Sequence, residues 1–272
     1  MEVGRRRFLL GLLGAPLAAQ LSRDKPFPPH KVIGNVYYVG SADLASFLIT
    51  TPQGHILVNS SFEETVPLIR AGVGKLGFRF GDIKILLDSH AHGDHVAGNA
   101  LVKRLTGAKV MAMAGDAEVI SSGSAGPACP VDRVLHDGDT VSLGGMTLTA
   151  HLTPGHTKGC TSWSFTAEDG GKPYRVVIVG SLSVNPGYIL VNNRSYPQIA
   201  ADYERSFRVL KALPCDVFLA PHGEQYGLDA KFARLERGGA NPFIDPEGYR
   251  AYVETSEEKF RRELERQKRG RR

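Results

Sequence analysis

Ile83-Lys84-Ile85-Leu86-Leu87-Asp88-Ser89-His90-Ala91-His92-Gly93-Asp94-His95 is the stretch on which the fold and the chemistry of this chain turn. Its opening residues are apolar and β-branched-rich, the pattern of a strand buried on both faces in a sheet covered by helices. The run then passes directly into four side chains able to bind a metal: His90, His92, Asp94 and His95. Val96 to Leu105 follows with apolar residues at helical spacing and no proline, which puts the four in a loop between a strand end and a helix start. Histidines at i and i+2 of an extended chain aim both imidazoles to one side, because side chains alternate with period two. Asp94 and His95 come where the chain must turn, and can face a second nearby point. Imidazole nitrogen and carboxylate oxygen are donors that zinc accepts.

Outward from this stretch, strands and helices alternate. Upstream, short strands are expected at Lys31–Tyr38, Ala45–Thr51 and His55–Asn59, then an amphipathic helix from Phe62 to Leu76 with Pro67 tolerated only in its first turn. Downstream, strands are expected at Lys109–Met113, Arg133–His136, Thr140–Leu143, Thr147–Leu152, Cys160–Thr166, Tyr174–Val179 and Val217–Ala220. Ser121–Pro130 reads as a surface loop and Pro197–Leu213 as a helix. Asp245-Pro246-Glu247 starts a helix that runs to the C-terminus. The coarse pattern, strand-strand-helix-strand twice over, predicts an α/β fold of two sheets face to face with helices outside. Every candidate ligand lies just past a strand, so ligands of both halves would meet at one edge of that sandwich.

The whole chain bounds the reading. Its 272 residues allow ample core, and 42% hydrophobic with 22% charged residues is ordinary for a globular protein. The net charge of +5 resides at the ends, in Arg5-Arg6-Arg7 and in a basic C-terminal helix from Glu257 to Arg272. The body is close to neutral, which argues against a nucleic-acid groove. Residues 1–22 read as an export signal: Arg5-Arg6-Arg7-Phe8-Leu9-Leu10 resembles the twin-arginine motif, and the apolar run to Ala19 is too short to span a bilayer. Residues 23–30, with Pro26, Pro28 and Pro29, read as a linker, and 31–272 as one domain. A periplasmic or secreted monomer without a membrane anchor in its mature form is therefore expected. Cys129, Cys160 and Cys215 give no disulfide framework.

Two zinc ions with open positions need about six protein ligands. His156, in Thr153-Pro154-Gly155-His156-Thr157, and His222, in Pro221-His222-Gly223, complete such a set with His90, His92, Asp94 and His95. His30, His55, His136 and His151 lack partners at ligand spacing and read as structural or solvated. Cys160 and Trp163 read as core.

H-x-H-x-D-H, then Pro-Gly-His-Thr, then Pro-His-Gly together resemble the metallo-β-lactamase superfamily, over roughly residues 31–265. The resemblance implies its four-layer αβ/βα sandwich. At Gly180-Ser181-Leu182-Ser183, many superfamily hydrolases place a bridging aspartate, and subclass 1 β-lactamases a cysteine. Ser181 is similar to the pattern of subclass 3, as are Asn185-Pro186-Gly187-Tyr188, Asp43-Leu44-Ala45 and Thr50-Thr51-Pro52. The resemblance then implies a di-zinc β-lactamase with His90, His92 and His156 on one zinc and Asp94, His95 and His222 on the other. It implies a hydroxide generated at zinc, oriented by Asp94, attacking the ring amide. Ser181 and Ser183 would contact the substrate carboxylate, Tyr188 and Asn185 would bind substrate or the oxyanion, and Thr157 would hydrogen-bond behind a metal ligand. A lactonase, or a thioester or phosphodiester hydrolase on the same fold, is the alternative. A zinc-binding module without turnover is disfavoured, because a structural zinc is closed by four ligands.

The chain departs from that pattern at four places. Cys215 matches one half of a disulfide of the subclass, but Tyr249 stands where its partner should be, so a free buried thiol is expected. The loop from Ala117 to Val131 is short. Gly93 lacks a side chain usually present between the ligands, and Asp88 has no assignable role.

Overall fold

The computed structural model describes residues 25–270, so the expected export signal and the first residues of the linker lie outside the described residues. Strands β1 (His30–Ile33), β2 (Val36–Tyr38), β3 (Phe47–Thr51), β4 (Gly54–Val58), β5 (Ile83–Leu87), β6 (Lys109–Met113) and β7 (Arg133–Leu135) form one mixed sheet in chain order. Strands β8 (Thr140–Leu143), β9 (Met146–Leu152), β10 (Thr161–Asp169), β11 (Lys172–Ile178) and β12 (Val217–Leu219) form a second, ordered β12-β11-β10-β9-β8. The helices are α1 (Val66–Lys75), α2 (Gly93–Val96), α3 (Asn99–Thr106), α4 (Ala114–Ser122), α5 (Ile199–Ala212), α6 (Gly223–Tyr226), α7 (Leu228–Glu236) and α8 (Pro246–Arg269).

Period-two alternation builds the layers. On β3, Phe47 and Ile49 enter the core between the sheets, while Leu48 faces the opposite side with Ile69 and Val73 of α1 and Val102 of α3. The second sheet carries α5 and α8 on its outside, where Phe207, Val253 and Phe260 pack with Val177 and Phe218. Each such fully buried side chain contributes roughly 1.5–3 kcal/mol. Helices thus cover both sheets, as expected of the αβ/βα sandwich.

Register brings the strand ends together. Leu152, which ends β9, pairs with Thr161 at the start of β10, and Ile178, which ends β11, pairs with Trp163 and Leu219. The first sheet joins the same edge: Thr161 N–H donates to the Ser89 carbonyl (2.8 Å), and the Trp163 indole to that of Asp88 (3.1 Å). Ala45 N–H donates to the Pro221 carbonyl (2.9 Å). Trp163 and Cys160 are buried and Cys215 is a free buried thiol, as expected; Cys129 is free and buried too.

The structure corrects several local expectations. Lys31–Tyr38 is a hairpin of two strands, because Gly34 (φ +51°) turns the chain. The helix expected from Phe62 is a 3-10 turn until Val66, with Pro67 in the first turn of α1. Asp94 and His95 lie in the short helix α2, not in a loop, and the helix expected over Val96–Leu105 is interrupted before Asn99. Gly98 fills that break because the Ser60 carbonyl would lie 2.6 Å from any Cβ there. Helix α4 occupies the start of the expected Ser121–Pro130 loop, and α6 and α7 were not expected. Within the expected linker, Pro26 bridges to Ser41, and Phe27 packs edge-on against Tyr38 (5.6 Å between centroids).

Candidate metal centre

The chain leaves β5 into Asp88 and Ser89, and both are held. Ser89 N–H donates to Asn59 Oδ1 (2.8 Å), and Asn59 N–H to the Leu87 carbonyl (2.8 Å). Asp88, unassigned from sequence, is fully buried. Its Oδ2 accepts from Asn99 (2.9 Å), and burial pushes its carboxyl up to about 7. These bonds tie the strand end to the helix beyond the histidines.

Five imidazoles converge just past this point. Ring centroids are 4.8 Å apart for His90 and His92, 4.4 Å for His90 and His156, and 4.7 Å for His92 and His156, all near-perpendicular. Their donor atoms lie within 4.8 Å of one another, which is the first expected set of three. The compact second set is His90, Asp94 and His95. His222, expected as its third ligand, stands close by: its Nε2 is 3.7 Å from Asp94 Oδ2, and its ring is 5.0 Å from His95.

Carbonyls aim the rings. His156 Nδ1–H donates to the Ser183 carbonyl (2.7 Å), and His90 Nδ1 lies 3.3 Å from that of Gly180. These bonds leave Nε2 of both rings facing the centre, the arrangement by which backbone acceptors orient metal-binding histidines. Gly155 makes the turn into His156 at φ +124°, where a Cβ would meet the Tyr203 ring at 2.6 Å.

Burial, then the neighbouring imidazoles, keep these rings neutral. His95 is pushed down to about 3, His156 to about 4, and His90 well below its ordinary value. Burial raises Asp94, but His95, His222 and His92 together pull it below its usual value, so it is a carboxylate near neutral pH. Nε2 of His90 and both ring nitrogens of His95 are buried without a hydrogen-bond partner. Each such atom costs about 1–3 kcal/mol unless something fills the space. Neutral imidazoles, one ionised carboxylate and orphaned inward-facing nitrogens are the donor set that zinc takes, so these residues fit the ion.

The remaining expected residues flank this centre. A cavity of about 530 Å³ is lined by His90, His92, Asp94, His156 and His222 together with Ser181, Ser183 and Asn185. Tyr188 turns its hydroxyl inward instead: it donates to the His156 carbonyl (2.8 Å) and lies 3.3 Å from His92 Nε2. Burial pushes that phenol up to about 12, so it stays protonated. Thr157, expected behind a metal ligand, donates instead to Asp116 Oδ2 (2.7 Å), which is not among the ligands. The other four histidines stay apart. His30 stacks on Tyr38, His55 packs edge-on against Phe78, His151 bonds Ser164, and His136 is exposed.

Sequence reasoning missed Asp116 and Asp43. The buried Asp116 carboxylate also accepts from Ala91 N–H (2.8 Å) and Gly159 N–H (2.8 Å), and so clamps the His90–His92 segment to the His156 turn. Gly159 allows this approach, since a Cβ there would lie 2.4 Å from Asp116 N. Asp43 places Oδ2 3.3 Å from His222 Nδ1, behind the ring. Asp116 carries no sequence signal, and Asp43 only the resemblance of its tripeptide. Gly93 also gains a reason: a side chain there would meet the Ala125 carbonyl at 3.0 Å.

A family model described as the metallo-beta-lactamase superfamily matches residues 44–222, and the chain belongs to that superfamily. Within it, the chain is similar to the native FEZ-1 metallo-beta-lactamase from Legionella gormanii, at 50% identity and a TM-score of 0.89. That match covers 90% of this chain and 98% of the other. It is also similar to BJP-1, a subclass B3 metallo-beta-lactamase of Bradyrhizobium japonicum, at 39% identity, coverage of 93% and 100%, and a TM-score of 0.88. A different name attaches to the curated relatives. The hydroxyacylglutathione hydrolases of Hyphomonas neptunium and Cereibacter sphaeroides are 37% and 32% identical, over 32% and 54% of this chain. The chain spans only 31% and 51% of their lengths. The chain is thus a metallo-hydrolase-superfamily enzyme by fold and family. Among the described residues, no helix is long and apolar enough to cross a membrane.

Proposed function

We propose that the chain is a zinc-dependent β-lactamase that opens the amide of the β-lactam ring. The observation that carries this reading is Ser181: buried just past the end of β11 and lining the metal cavity, it leaves Asp94 as the one carboxylate among the candidate ligands of the described residues. The 50% identity to a metallo-beta-lactamase over nine-tenths of the chain supports it.

His90, His92 and His156 would hold one zinc, and Asp94, His95 and His222 a second. Zinc bound there supplies Lewis acidity to a carbonyl and makes water acidic enough to attack near neutral pH. Asp94, held ionised, would orient a water bound there as well as binding metal. Ser181 and Ser183 hydroxyls donate to the substrate carboxylate, and the Asn185 amide fixes the ring beside them. The protonated Tyr188 hydroxyl is a donor to developing negative charge once it leaves the His156 carbonyl.

A second reading, thioester hydrolysis, is favoured by the names of the curated relatives. One experiment separates the two: zinc content and hydrolysis of a carbapenem, a cephalosporin and an acylglutathione thioester, with and without chelator. About two zinc per chain and chelator-sensitive ring opening is the expected result. Thioester cleavage without ring opening would refute the lactamase reading.

A further inference from the structure

A groove of about 850 Å³ opens beside the metal cavity and shares Ser183, Asn185, Pro186, Glu224 and Gln225 with it. It runs from the β11 end along α8, between Leu182 and Phe260 as apolar walls. The metal cavity, at about 530 Å³, is sized for a small bicyclic nucleus, so a longer substrate must extend beyond it.

The charges along the groove are not equivalent. Glu263 accepts from Arg266 (2.7 Å) and Gln267 (2.7 Å), so that pair is internally satisfied. Lys259 and Glu224 have no ion pair among the described residues, and Lys259 lines only the outer groove whereas Glu224 lines both spaces. An anion is therefore repelled where the two spaces meet, at Glu224, and attracted by Lys259 in the outer groove.

Resting on the β-lactamase reading, we propose that this groove binds the ring substituent next to the carboxylate-bearing carbon, and that Lys259 selects arms ending in an anion. With the reacting amide over the metal ligands and the carboxylate at Ser181 and Ser183, that substituent leaves the cavity past Asn185 and Pro186. In a cephalosporin this is the C3 arm. Lys259 is a specificity-determining residue, reached only by arms that extend out of the metal cavity into the groove.

The test uses zinc-loaded protein and two cephalosporins alike except at C3, one arm neutral and one ending in a carboxylate. The wild type should favour the anionic arm by roughly two- to five-fold in KM, the range of an exposed ion pair. Lys259→Glu should reverse that preference, and added salt should erase it in the wild type. Arg262→Glu, the same charge change on α8 outside the groove, should leave the ratio alone. Equal KM ratios in wild type and Lys259→Glu would overturn the proposal. Calorimetric Kd values for the same pair give a readout independent of turnover. Binding with a Lys259-dependent preference but no hydrolysis would sink the lactamase reading and keep the groove. Binding without preference would sink the groove, and no binding of either compound would sink both.

Discussion

Asp116→Ala should destabilise the protein and loosen its hold on zinc without touching a ligand. The wild-type carboxylate accepts three hydrogen bonds, from Ala91 N–H (2.8 Å), Thr157 Oγ1 (2.7 Å) and Gly159 N–H (2.8 Å). Alanine leaves two buried backbone donors without acceptors, whereas the Thr157 hydroxyl can rotate. At about 1–3 kcal/mol for each stranded N–H, the loss is about 2–6 kcal/mol, a large share of the 5–15 kcal/mol typical of a folded domain. Asp116→Asn keeps one acceptor oxygen but turns an NH2 group towards one donor, so its loss should be about half as large. The assay is urea unfolding of metal-free protein, read as the midpoint at constant slope, with zinc affinity from chelator competition. The wild type, Asn and Ala proteins should rank in that order in both measurements, with zinc affinity falling about 10–100-fold across the series. If Asp116→Ala unfolds within about 0.5 kcal/mol of the wild type and binds zinc equally well, the clamp argument is wrong.

Three further outcomes are expected. Gly155→Ala, which combines φ +124° with a Cβ 2.6 Å from the Tyr203 ring, should cost about 2 kcal/mol or more, read by urea unfolding. Asp43→Ala removes the carboxylate behind His222 and should weaken the second zinc about 10–100-fold while sparing the first; a zinc titration showing two unchanged affinities would contradict this. Metal-free protein should be fully stable above about pH 6.5 and lose stability as the pH falls towards 4. The direction follows because burial holds His95 at about 3 and His156 at about 4 when folded and also lowers His90 and His92, so the unfolded chain takes up protons first. These four outweigh Asp88, raised to about 7, which acts in the opposite sense. A flat midpoint between pH 7 and pH 4.5 would count against it.

The ligand types and their place at strand ends were legible in the sequence because both are local properties. His90 and His92 follow a strand whose burial is written in Ile83, Ile85, Leu86 and Leu87, and alternation on β3 specifies two apolar faces. The sandwich followed from that patterning and from a resemblance carried by short motifs. Helices α4, α6 and α7 were not legible. Helix α7 buries only Leu228 and Lys231, and α6 is a single turn, so neither writes an apolar stripe into the sequence.

What the tertiary structure alone decided is which polar groups face one another. Asp116 becomes a clamp only because Ala91, Thr157 and Gly159, far apart in the chain, close around it. Asp43 stands behind His222 across 179 residues of sequence. The break before Asn99 is set by the Ser60 carbonyl, and the groove along α8 by how that helix lies beside the β11 end. Donors can be recognised by residue type, but hydrogen bonds, ion pairs and cavities depend on distances that exist only once the chain has folded.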